Sequence, residues 1–428
     1  MKKGNLKMNK TLIIKTPYIK SYGDKVRLQA SIISDSLKKE YYFEVHQKWA
    51  KYLCVERSDA FVLGLLYFSM VNGYDIKCEA PISEKLYYQL KNVYIPTVTK
   101  QDPELFKNIT ILAELDSVPI SNEGGVGASV SGGVDSFYTI LKNCGMDSKH
   151  YNITHLLLTN CFNIYRDDND TRNRFEEICK PAASIAAELE IEFIDIYTNE
   201  NNFWYPHFVD LFCMRYCSLP YALQKLFSVY NYSTGYQYKD FTFKAPNRDA
   251  SHYDFFSVHL ISNENLTVYS SGGEASRAEK ASYIADSEVV QRHLQVCNIQ
   301  HTANCCACEK CLRTQLNLYA CGKLDKFQAV FDLEKFDKNK NNAIQAMFER
   351  NGDFDKEIIE MMDKNQIIIP FTLKIKGITI RSLKKIIKSI KPVYKIIKKF
   401  YKKDNPLLES ERYNTDYEYA KKCNPNIV

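Results

Sequence analysis

Long apolar runs are missing from this 428-residue sequence. A membrane-spanning helix needs about 20 consecutive apolar residues, and a stretch such as FVLGLLYFSMV at 61–71 is far too short. The first twenty residues contain lysines but neither a sustained apolar region nor a small-residue cleavage site, so we expect no signal peptide. Together these absences predict a cytoplasmic protein.

Two common nucleotide-binding motifs are also missing. The glycine-rich stretch of the chain does not read G-x-x-x-x-G-K-[ST]. Gly125 and Gly127 are followed by Val130, where a dinucleotide-binding loop requires its third glycine. The sequence therefore predicts neither a Walker-type phosphate loop nor a GxGxxG dinucleotide-binding loop.

The composition indicates a globular chain, with 45% hydrophobic and 25% charged residues. Its length exceeds what one core usually supports, so we expect two domains or one elaborated domain. The chain has fourteen cysteines and no export signal, which favours reduced thiols and metal binding over disulfides.

The pattern of secondary structure changes near residue 120. Before it, 10–46 alternates as extended segments do, and 58–73 begins with Ser-Asp and ends with Gly as a helix should. After it, strands and helices alternate, which predicts an α/β fold with a doubly wound parallel sheet. A predicted strand at 108–115 leads into this region. The further predicted strands are 153–159, 191–198 and 265–269, and the predicted helices are 134–143, 171–190 and 208–230.

This pattern predicts three segments. Residues 1–120 form an N-terminal α+β extension, and 121–325 form the catalytic domain. Residues 326–428 form a helical region that ends in a basic tail.

The stretch ASVSGGVDS at 128–136 combines glycines, hydroxyls and one carboxylate between a strand and a helix. Glycines let the backbone turn tightly and expose its N–H groups, and a helix N-terminus attracts phosphate. The carboxylate would repel a phosphate unless Mg²⁺ lies between them. The residues expected to bind a nucleotide pyrophosphate group are Ser131, Gly132, Gly133, Val134, Asp135 and Ser136.

A cysteine cluster follows about 160 residues later. Cys305, Cys308 and Cys311 form C-x₂-C-x₂-C, and Cys297 precedes them by eight positions. Four thiolates at this spacing can close a tetrahedral Zn²⁺ site, although an iron–sulfur cluster uses the same ligands. Cys306 adjoins a ligand and is expected to stay outside the site, unless it exchanges roles with Cys305.

The SGGVDS stretch resembles the pyrophosphate loop of the N-type ATP pyrophosphatases. With the cysteine cluster, residues 126–322 are similar to the 7-cyano-7-deazaguanine synthase family of queuosine biosynthesis. This resemblance implies an adenine nucleotide α hydrolase-like fold, ATP and Mg²⁺ on residues 131–136, and Zn²⁺ on the four cysteines. It also implies that ATP adenylates a substrate carboxylate, after which ammonia displaces AMP.

The sequence departs from that family in two places. TNCFNIYRDDND at 159–170 replaces an aromatic-Gly-Gln-Arg-His-like run, and ASHYDFFS at 250–257 only partly matches a Tyr-Pro-Asp-Cys substrate segment. Residues 1–120 and the tail have no counterpart. The resemblance therefore implies an elaborated relative, of the kind associated with bacterial antiviral defence and polysaccharide operons, whose substrate need not be a deazaguanine.

Other candidate site residues lie at later strand ends. Arg277 and Lys280, one helical turn apart, are placed to contact phosphates and the leaving pyrophosphate. Relatives carry such a lysine late in the chain, which favours Lys280. Asp254 is a candidate for substrate contact or proton transfer. Thr159 and Gly235 are candidates for nucleotide or substrate contact.

The C-terminal tail is strongly basic. Between Lys374 and Lys403 the sequence has twelve Lys/Arg and no acid; since the net charge is +6, the rest of the chain carries −6. The pattern at 382–403 predicts an amphipathic basic helix with a kink at Pro392. It suits an anionic membrane surface, an acidic partner, nucleic acid or the acidic body of the chain itself.

The sequence therefore predicts an ATP-dependent carbon–nitrogen ligase acting on a small-molecule or protein carboxylate, and we expect a homodimer. One alternative is sulfur transfer to a nucleobase, for which Cys161 is the obvious thiol. A second is an ATP-binding sensor or scaffold without turnover. A third is modification of a partner protein from the same operon.

Overall fold

A computed structural model describes residues 10–162, 169–203, 212–244, 249–297 and 302–389. The chain divides into two compact units. The first unit comprises Met1–Ser131 and Asp135–Ala275, and the second comprises Gly132–Val134 and Ser276–Val428. The predicted N-terminal extension thus shares a unit with most of the predicted catalytic domain.

The first unit begins with an antiparallel arrangement around strand β3. This strand pairs antiparallel with β1, β2 and β4, whereas β1 pairs parallel with β5 and β5 pairs parallel with β7. The strands are β1 Lys10–Ile14, β2 Tyr18–Tyr22, β3 Lys25–Ile33, β4 Lys38–His46, β5 Tyr74–Cys78, β6 Ile82–Ser83, β7 Ile111–Leu112 and β8 Leu115–Asp116. The short strands β6 and β8 form a separate parallel pair.

Helix α1, Asp59–Asn72, begins and ends where the sequence predicts. Ser58 is its N-cap, and Gly73 ends it with a φ of 69°, a conformation that glycine adopts without strain. The helix is apolar on nearly all sides and is therefore buried on nearly all sides. Two further helices of this segment are α2 Glu84–Gln89 and α3 Ile95–Gln101.

Five parallel strands make up the rest of the first unit's sheet, in the spatial order β13-β12-β9-β10-β11. They are β9 Gly125–Ser129, β10 His155–Thr159, β11 Glu192–Thr198, β12 Phe227–Ser233 and β13 Thr267–Ser271. The helices between them are α4 Val134–Lys142, α5 Asn169–Glu188, α6 Phe212–Ala222 and α7 Asp254–His259. From β9 the chain adds β10 and β11 on one side and then β12 and β13 on the other. The predicted α/β class with a parallel central sheet is confirmed.

The antiparallel and parallel parts form one eleven-stranded sheet. They join at β11 and β4, where Tyr197 lies opposite Glu44 and Thr198 lies opposite Phe43. Hydrophobic side chains from both parts share one core, in which Phe43, Ile76 and Ile194 have no exposed surface. The N-terminal strands therefore extend and support the sheet that carries the glycine-rich stretch.

Two predicted elements are wrong in part. The predicted helix at 208–230 ends at Ala222, and strand β12 begins at Phe227; residues 208–211 lie outside the described ranges. The reason is the FSVYNYS sequence, whose aromatic and β-branched residues fit a buried strand. The predicted strand at 108–115 is reduced to the short strands β7 and β8.

The second unit is helical in its described part. Its helices are α8 Arg277–Ile284, α9 Glu288–His293, α10 Glu309–Ala320, α11 Leu333–Arg350, α12 Asp353–Lys364 and α13 Phe371–Ser389. Helix α10 packs against α8, α11 and α12, and α13 packs along α11. Of the predicted basic helix at 382–403, residues 382–389 belong to α13, whereas the rest, with Pro392, lies outside the described residues. Among the helices of the described ranges, none has the length and hydropathy that crossing a bilayer requires.

Candidate functional site

The SGGVDS stretch lies at the carboxyl end of β9, between the ends of β10 and β12. We call residues 130–136 the glycine loop. The chain runs from β9 to β10 and β11 on one side and then returns to β12 on the other side of β9, so the loop follows a strand at the topological switch point of the sheet. Helix α4 begins within it at Val134. In open α/β sheets this position is where ligands bind.

The hydroxyl of Ser136 closes the glycine loop. It donates to the Ser129 carbonyl oxygen at 2.7 Å and accepts from the Ser131 N–H at 3.1 Å. Ser136 is 4% exposed, whereas Ser131 is exposed. The Ser136 hydroxyl therefore shapes the loop, and its predicted bond to phosphate would have to replace the bond to Ser129.

Gly132 has a φ of 71°, which only glycine adopts readily. Within the second unit its carbonyl oxygen accepts from the Gln295 N–H at 2.8 Å, and a Cβ on Gly132 would lie 3.3 Å from the Gln295 Cβ. Val134, the first residue of α4, is buried, whereas Gly133 and Asp135 are partly exposed. The loop thus presents backbone and one carboxylate near the N-terminus of α4.

At the end of β10, side chains tie the strand ends together. Asn160 donates to the Thr198 carbonyl oxygen at 2.8 Å and accepts from the Thr198 N–H at 2.9 Å, which joins β10 to β11. The Thr159 hydroxyl oxygen accepts from the Cys161 N–H at 3.3 Å. Thr159 is 3% exposed, so this candidate serves the turn, and its contact with a nucleotide stays a prediction. Sequence reasoning missed Asn160.

Cys161 is a poor nucleophile where it lies. Its side chain is buried, and its sulfur lies 3.3 Å from a carboxylate oxygen of Glu200. Burial first, and then the Glu200 charge, raise the pKa of the Cys161 thiol well above its ordinary value. Glu200 also pairs with the buried Arg215 at 3.1 Å, an ion pair that no sequence motif indicated. This environment disfavours the sulfur-transfer alternative.

Beyond β12, Thr234 holds Asp254. The Thr234 hydroxyl lies 2.8 and 2.9 Å from the two Asp254 carboxylate oxygens, and Asp254 is 3% exposed at the start of α7. Asp254 therefore fixes α7 to the end of β12, and its catalytic role stays a prediction. A Cβ on Gly235 would meet no described atom within 4 Å, so the space beside it is open. His252 stacks on Tyr236, with ring centroids 3.7 Å apart.

Beyond β13, exposed aromatic side chains border the same edge of the sheet. The Tyr238 N–H donates to the Gly273 carbonyl oxygen at 2.8 Å, and its hydroxyl donates to the Ser270 carbonyl oxygen at 2.7 Å. A Cβ on Gly273 would collide with the Tyr238 ring. The ring centroids of Phe255 and Tyr238 are 4.8 Å apart, and both residues are more than a third exposed. Neither aromatic residue was predicted as part of a site.

The predicted cations Arg277 and Lys280 belong to helix α8 of the second unit. The Arg277 N–H donates to Glu357 at 2.8 Å, and its guanidinium lies 5.8 Å from the Phe354 ring centroid. Arg313 contacts the same ring at 4.6 Å. Lys280 has no exposed surface. Contact of Arg277 and Lys280 with phosphate therefore stays a prediction.

Four cysteine sulfurs of the second unit converge. Those of Cys297, Cys305, Cys308 and Cys311 all lie within 4.8 Å of one another. The distances Cys297–Cys308 and Cys305–Cys311 are both 3.9 Å. A tetrahedral zinc ion with Zn–S bonds of about 2.3 Å holds its sulfurs about 3.8 Å apart. The predicted set of four cysteines, which we call the cysteine centre, can therefore hold a metal ion and is compatible with zinc.

Backbone N–H groups support the cysteine centre. Cys308 N–H donates to the Cys305 sulfur at 3.2 Å, and Cys311 N–H donates to the Cys308 sulfur at 3.4 Å, where α10 begins. A hydrogen bond from the Cys311 thiol lowers the pKa of Cys308 to about 5. The same hydrogen bond raises the pKa of Cys311, and burial raises that of Cys305. The backbone N–H bonds to the Cys305 and Cys308 sulfurs favour the thiolate, which is the form that binds metal.

Cys306 lies outside the cysteine centre, as predicted. Its backbone has a φ of 58°, and its sulfur accepts from the Asp332 N–H at 3.2 Å. Asn304, which sequence reasoning missed, bonds the backbone on both sides of the cluster. It accepts from Val296 N–H at 2.9 Å and donates to Leu294 and Val330 carbonyl oxygens at 2.7 and 3.1 Å.

Fold and site together define an α/β protein with a mostly parallel central sheet and a cysteine cluster able to hold a metal ion. No family profile, curated protein or solved structure matches the chain. Its functional assignment therefore depends on the residues and their geometry.

Proposed function

We propose that the chain is an ATP-dependent ligase of the N-type ATP pyrophosphatase class, similar to the 7-cyano-7-deazaguanine synthases. It binds ATP at the glycine loop, adenylates a substrate carboxylate and transfers the acyl group to ammonia or another amine. One observation carries this proposal: the glycine loop follows the strand at the switch point of a parallel sheet and begins a helix.

The glycine loop suits the pyrophosphate portion of ATP. The positive φ of Gly132 turns the backbone tightly at the carboxyl end of β9, and successive N–H groups in such a turn suit a phosphate. Those N–H groups and the N-terminus of α4 offer partial positive charge. Asp135, in the first turn of α4, would hold Mg²⁺, which neutralises charge on the β- and γ-phosphates.

The proposed reaction has two steps. A carboxylate oxygen attacks the α-phosphorus, the bond to the β-phosphate oxygen breaks, and pyrophosphate leaves. The amine nitrogen then attacks the acyl carbon, the bond to the AMP oxygen breaks, and AMP leaves as the nitrogen loses a proton. Holding ATP and acceptor in line supplies the orientation part of catalysis.

The cysteine centre fits a structural zinc ion. Four thiolates fill a tetrahedral shell and leave no position for water or substrate. Bound zinc would therefore fix the chain between Cys297 and the start of α10 and take no part in the reaction. Asn304 reinforces the same connection through its bonds to Leu294 and Val330.

Calorimetry with Mg·ATP tests the proposal on the full chain. We expect saturable binding to the wild type and at least a tenfold loss of affinity in Asp135→Ala. Asp147→Ala is the matched control, because Asp147 is an exposed aspartate beyond the other end of α4. Absence of binding to the wild type, or equal binding by both variants, would overturn the proposal.

Mass spectrometry identifies the acceptor. Small molecules and proteins from cells that express the wild type are compared with those from cells that express Asp135→Ala. A mass change that depends on Asp135, with release of AMP and pyrophosphate, supports the ligase. Tight ATP binding without any such change favours the sensor alternative, and a modified protein identifies a partner-protein acceptor.

A further inference from the structure

Helix α13 is fixed to α11 on one side. At Gly377 a Cβ would lie 2.5 Å from the Gln345 carbonyl oxygen and 2.7 Å from the Phe348 Cβ, so the two helices touch closely. Lys384 forms an ion pair with Glu349 of α11. One face of α13 is therefore already occupied by its own chain.

The opposite side of α13 is apolar and exposed. Phe371, Ile375, Leu383 and Ile386 are 71%, 47%, 51% and 57% exposed. At 3.6 residues per turn they fall within an arc of about 120°, along about 22 Å of helix. The other residues of α13 in this arc are hydroxyl-bearing: Thr372, Thr379, Ser382 and Ser389. We call the four apolar residues the exposed apolar stripe.

Ile368, just before α13, is 91% exposed and adds to the apolar surface at the stripe's N-terminal end. Single exposed apolar residues are ordinary on protein surfaces, but several on one helix face mark an interaction surface. The exposed apolar stripe is two such pairs, Phe371 with Ile375 and Leu383 with Ile386, on one face with Thr379 between them.

Positive charge borders the exposed apolar stripe on both sides. Lys374 and Lys385 fall on one edge of the arc and Lys376 on the other. Helix α13 contains no acid, and the sequence from Lys374 to Lys403 has none either. An apolar stripe between lysines is the pattern of helices that lie in an anionic membrane surface, where ammonium groups meet lipid phosphates.

The packing of α13 leaves one side for a partner. Helix α11 occupies the Gly377 side of α13, whereas the exposed apolar stripe and its bordering lysines lie on the other side. A bilayer surface needs only such a one-sided contact.

We propose that α13 docks this protein onto an anionic membrane surface. The exposed apolar stripe enters the boundary between headgroups and acyl chains, and the bordering lysines bind the headgroup phosphates. This inference does not depend on the proposed ligase activity.

Vesicle co-sedimentation of the full chain tests the proposal. We expect binding to phosphatidylcholine vesicles that contain phosphatidylserine, weaker binding at high salt, and little binding to phosphatidylcholine alone. The double variant Ile375→Glu/Leu383→Glu should lose more than tenfold in affinity. Val118→Glu is the matched control, since Val118 is an apolar residue, 69% exposed, in the first unit.

A second variant separates charge from apolar insertion. Neutralising Lys374 and Lys385 together by Lys→Gln should weaken binding about fivefold for each lysine. Circular dichroism and metal content show whether each variant remains folded.

Four results would overturn the proposal. The full chain fails to bind anionic vesicles, or the stripe variant binds them as the Val118→Glu control does. Alternatively, sedimentation shows a dimer that Ile375→Glu/Leu383→Glu dissociates, which would mean that a second copy covers the stripe. If the wild type binds no vesicles but retains an acidic protein that Ile375→Glu/Leu383→Glu no longer retains, the occupant of the stripe is that protein and not lipid.

Discussion

The glycine loop and the cysteine centre are held by different means. The loop is a backbone structure, supported by parallel strands on both sides of β9 and by the hydroxyl of Ser136. The cysteine centre is a side-chain structure, in which four sulfurs from one short stretch converge within 4.8 Å. The loop therefore depends on a large core, whereas we expect the cysteine centre to depend on a bound metal ion.

Metal removal should have the largest effect on stability, and the loss should be greatest in the second unit. Structural zinc contributes roughly 10 kcal/mol of apparent binding free energy in small zinc domains. Cys305→Ser, or a strong chelator, should release the metal and expose 297–320 to protease, while the eleven-stranded sheet persists. Metal analysis and limited proteolysis read by mass spectrometry measure both.

Cys306→Ser is the control for this comparison. Its sulfur bonds to Asp332 and lies outside the cysteine centre, so the variant should keep its metal. If Cys306→Ser releases the metal as Cys305→Ser does, or if the wild type binds none, the assignment of the ligands is wrong.

The buried ion pair beside β11 should give the next largest effect, confined to the first unit. Glu200→Gln removes the carboxylate that pairs with the buried Arg215 guanidinium, and breaking a buried pair costs about 3–5 kcal/mol. Thermal unfolding, followed by circular dichroism, measures the loss. Glu192→Gln breaks an exposed pair with Lys48 at the start of β11 and should cost less than about 1 kcal/mol. If Glu200→Gln and Glu192→Gln lower thermal stability equally, the buried pair does not stabilise the end of β11 as we infer.

Gly132→Ala should lower stability less than Glu200→Gln does but should have a clear effect on nucleotide binding. An alanine at a φ of 71° costs about 1–2 kcal/mol, and its Cβ would press on Gln295. Gly145→Ala carries the same strain at a φ of 68°, with no described atom within 4 Å of the new Cβ. Calorimetry should therefore show weaker Mg·ATP binding for Gly132→Ala and unchanged binding for Gly145→Ala. If Gly132→Ala binds Mg·ATP as tightly as the wild type, nucleotide binding does not depend on the conformation of the glycine loop.

How well the sequence predicts a feature depends on how local that feature is. The cysteine centre and the glycine loop are local motifs, so spacing and residue type alone assigned Cys297 to the first and Gly132 to the second. The helix at 59–72 and the strands β10 and β11 were predictable because their apolar patterns and end signals are local too. The start of β12 was not, since a buried strand and a buried helix share a continuous apolar pattern.

Contacts between distant segments account for the remainder. Asn160 bonds Thr198, and Thr234 bonds Asp254, only because the sheet brings separate strand ends together. The burial of Lys280 and Cys161 likewise depends on packing that no local pattern records. Sequence reasoning therefore found candidate residues but did not show which polar groups serve the fold.

A crystal structure of the full chain with Mg²⁺ and an ATP analogue that cannot be cleaved between its α- and β-phosphates tests the central claim most directly. We predict that the β- and γ-phosphates accept hydrogen bonds from N–H groups of the glycine loop, with Mg²⁺ between them and Asp135. An analogue bound elsewhere, or one whose phosphates avoid the glycine loop, would contradict the account.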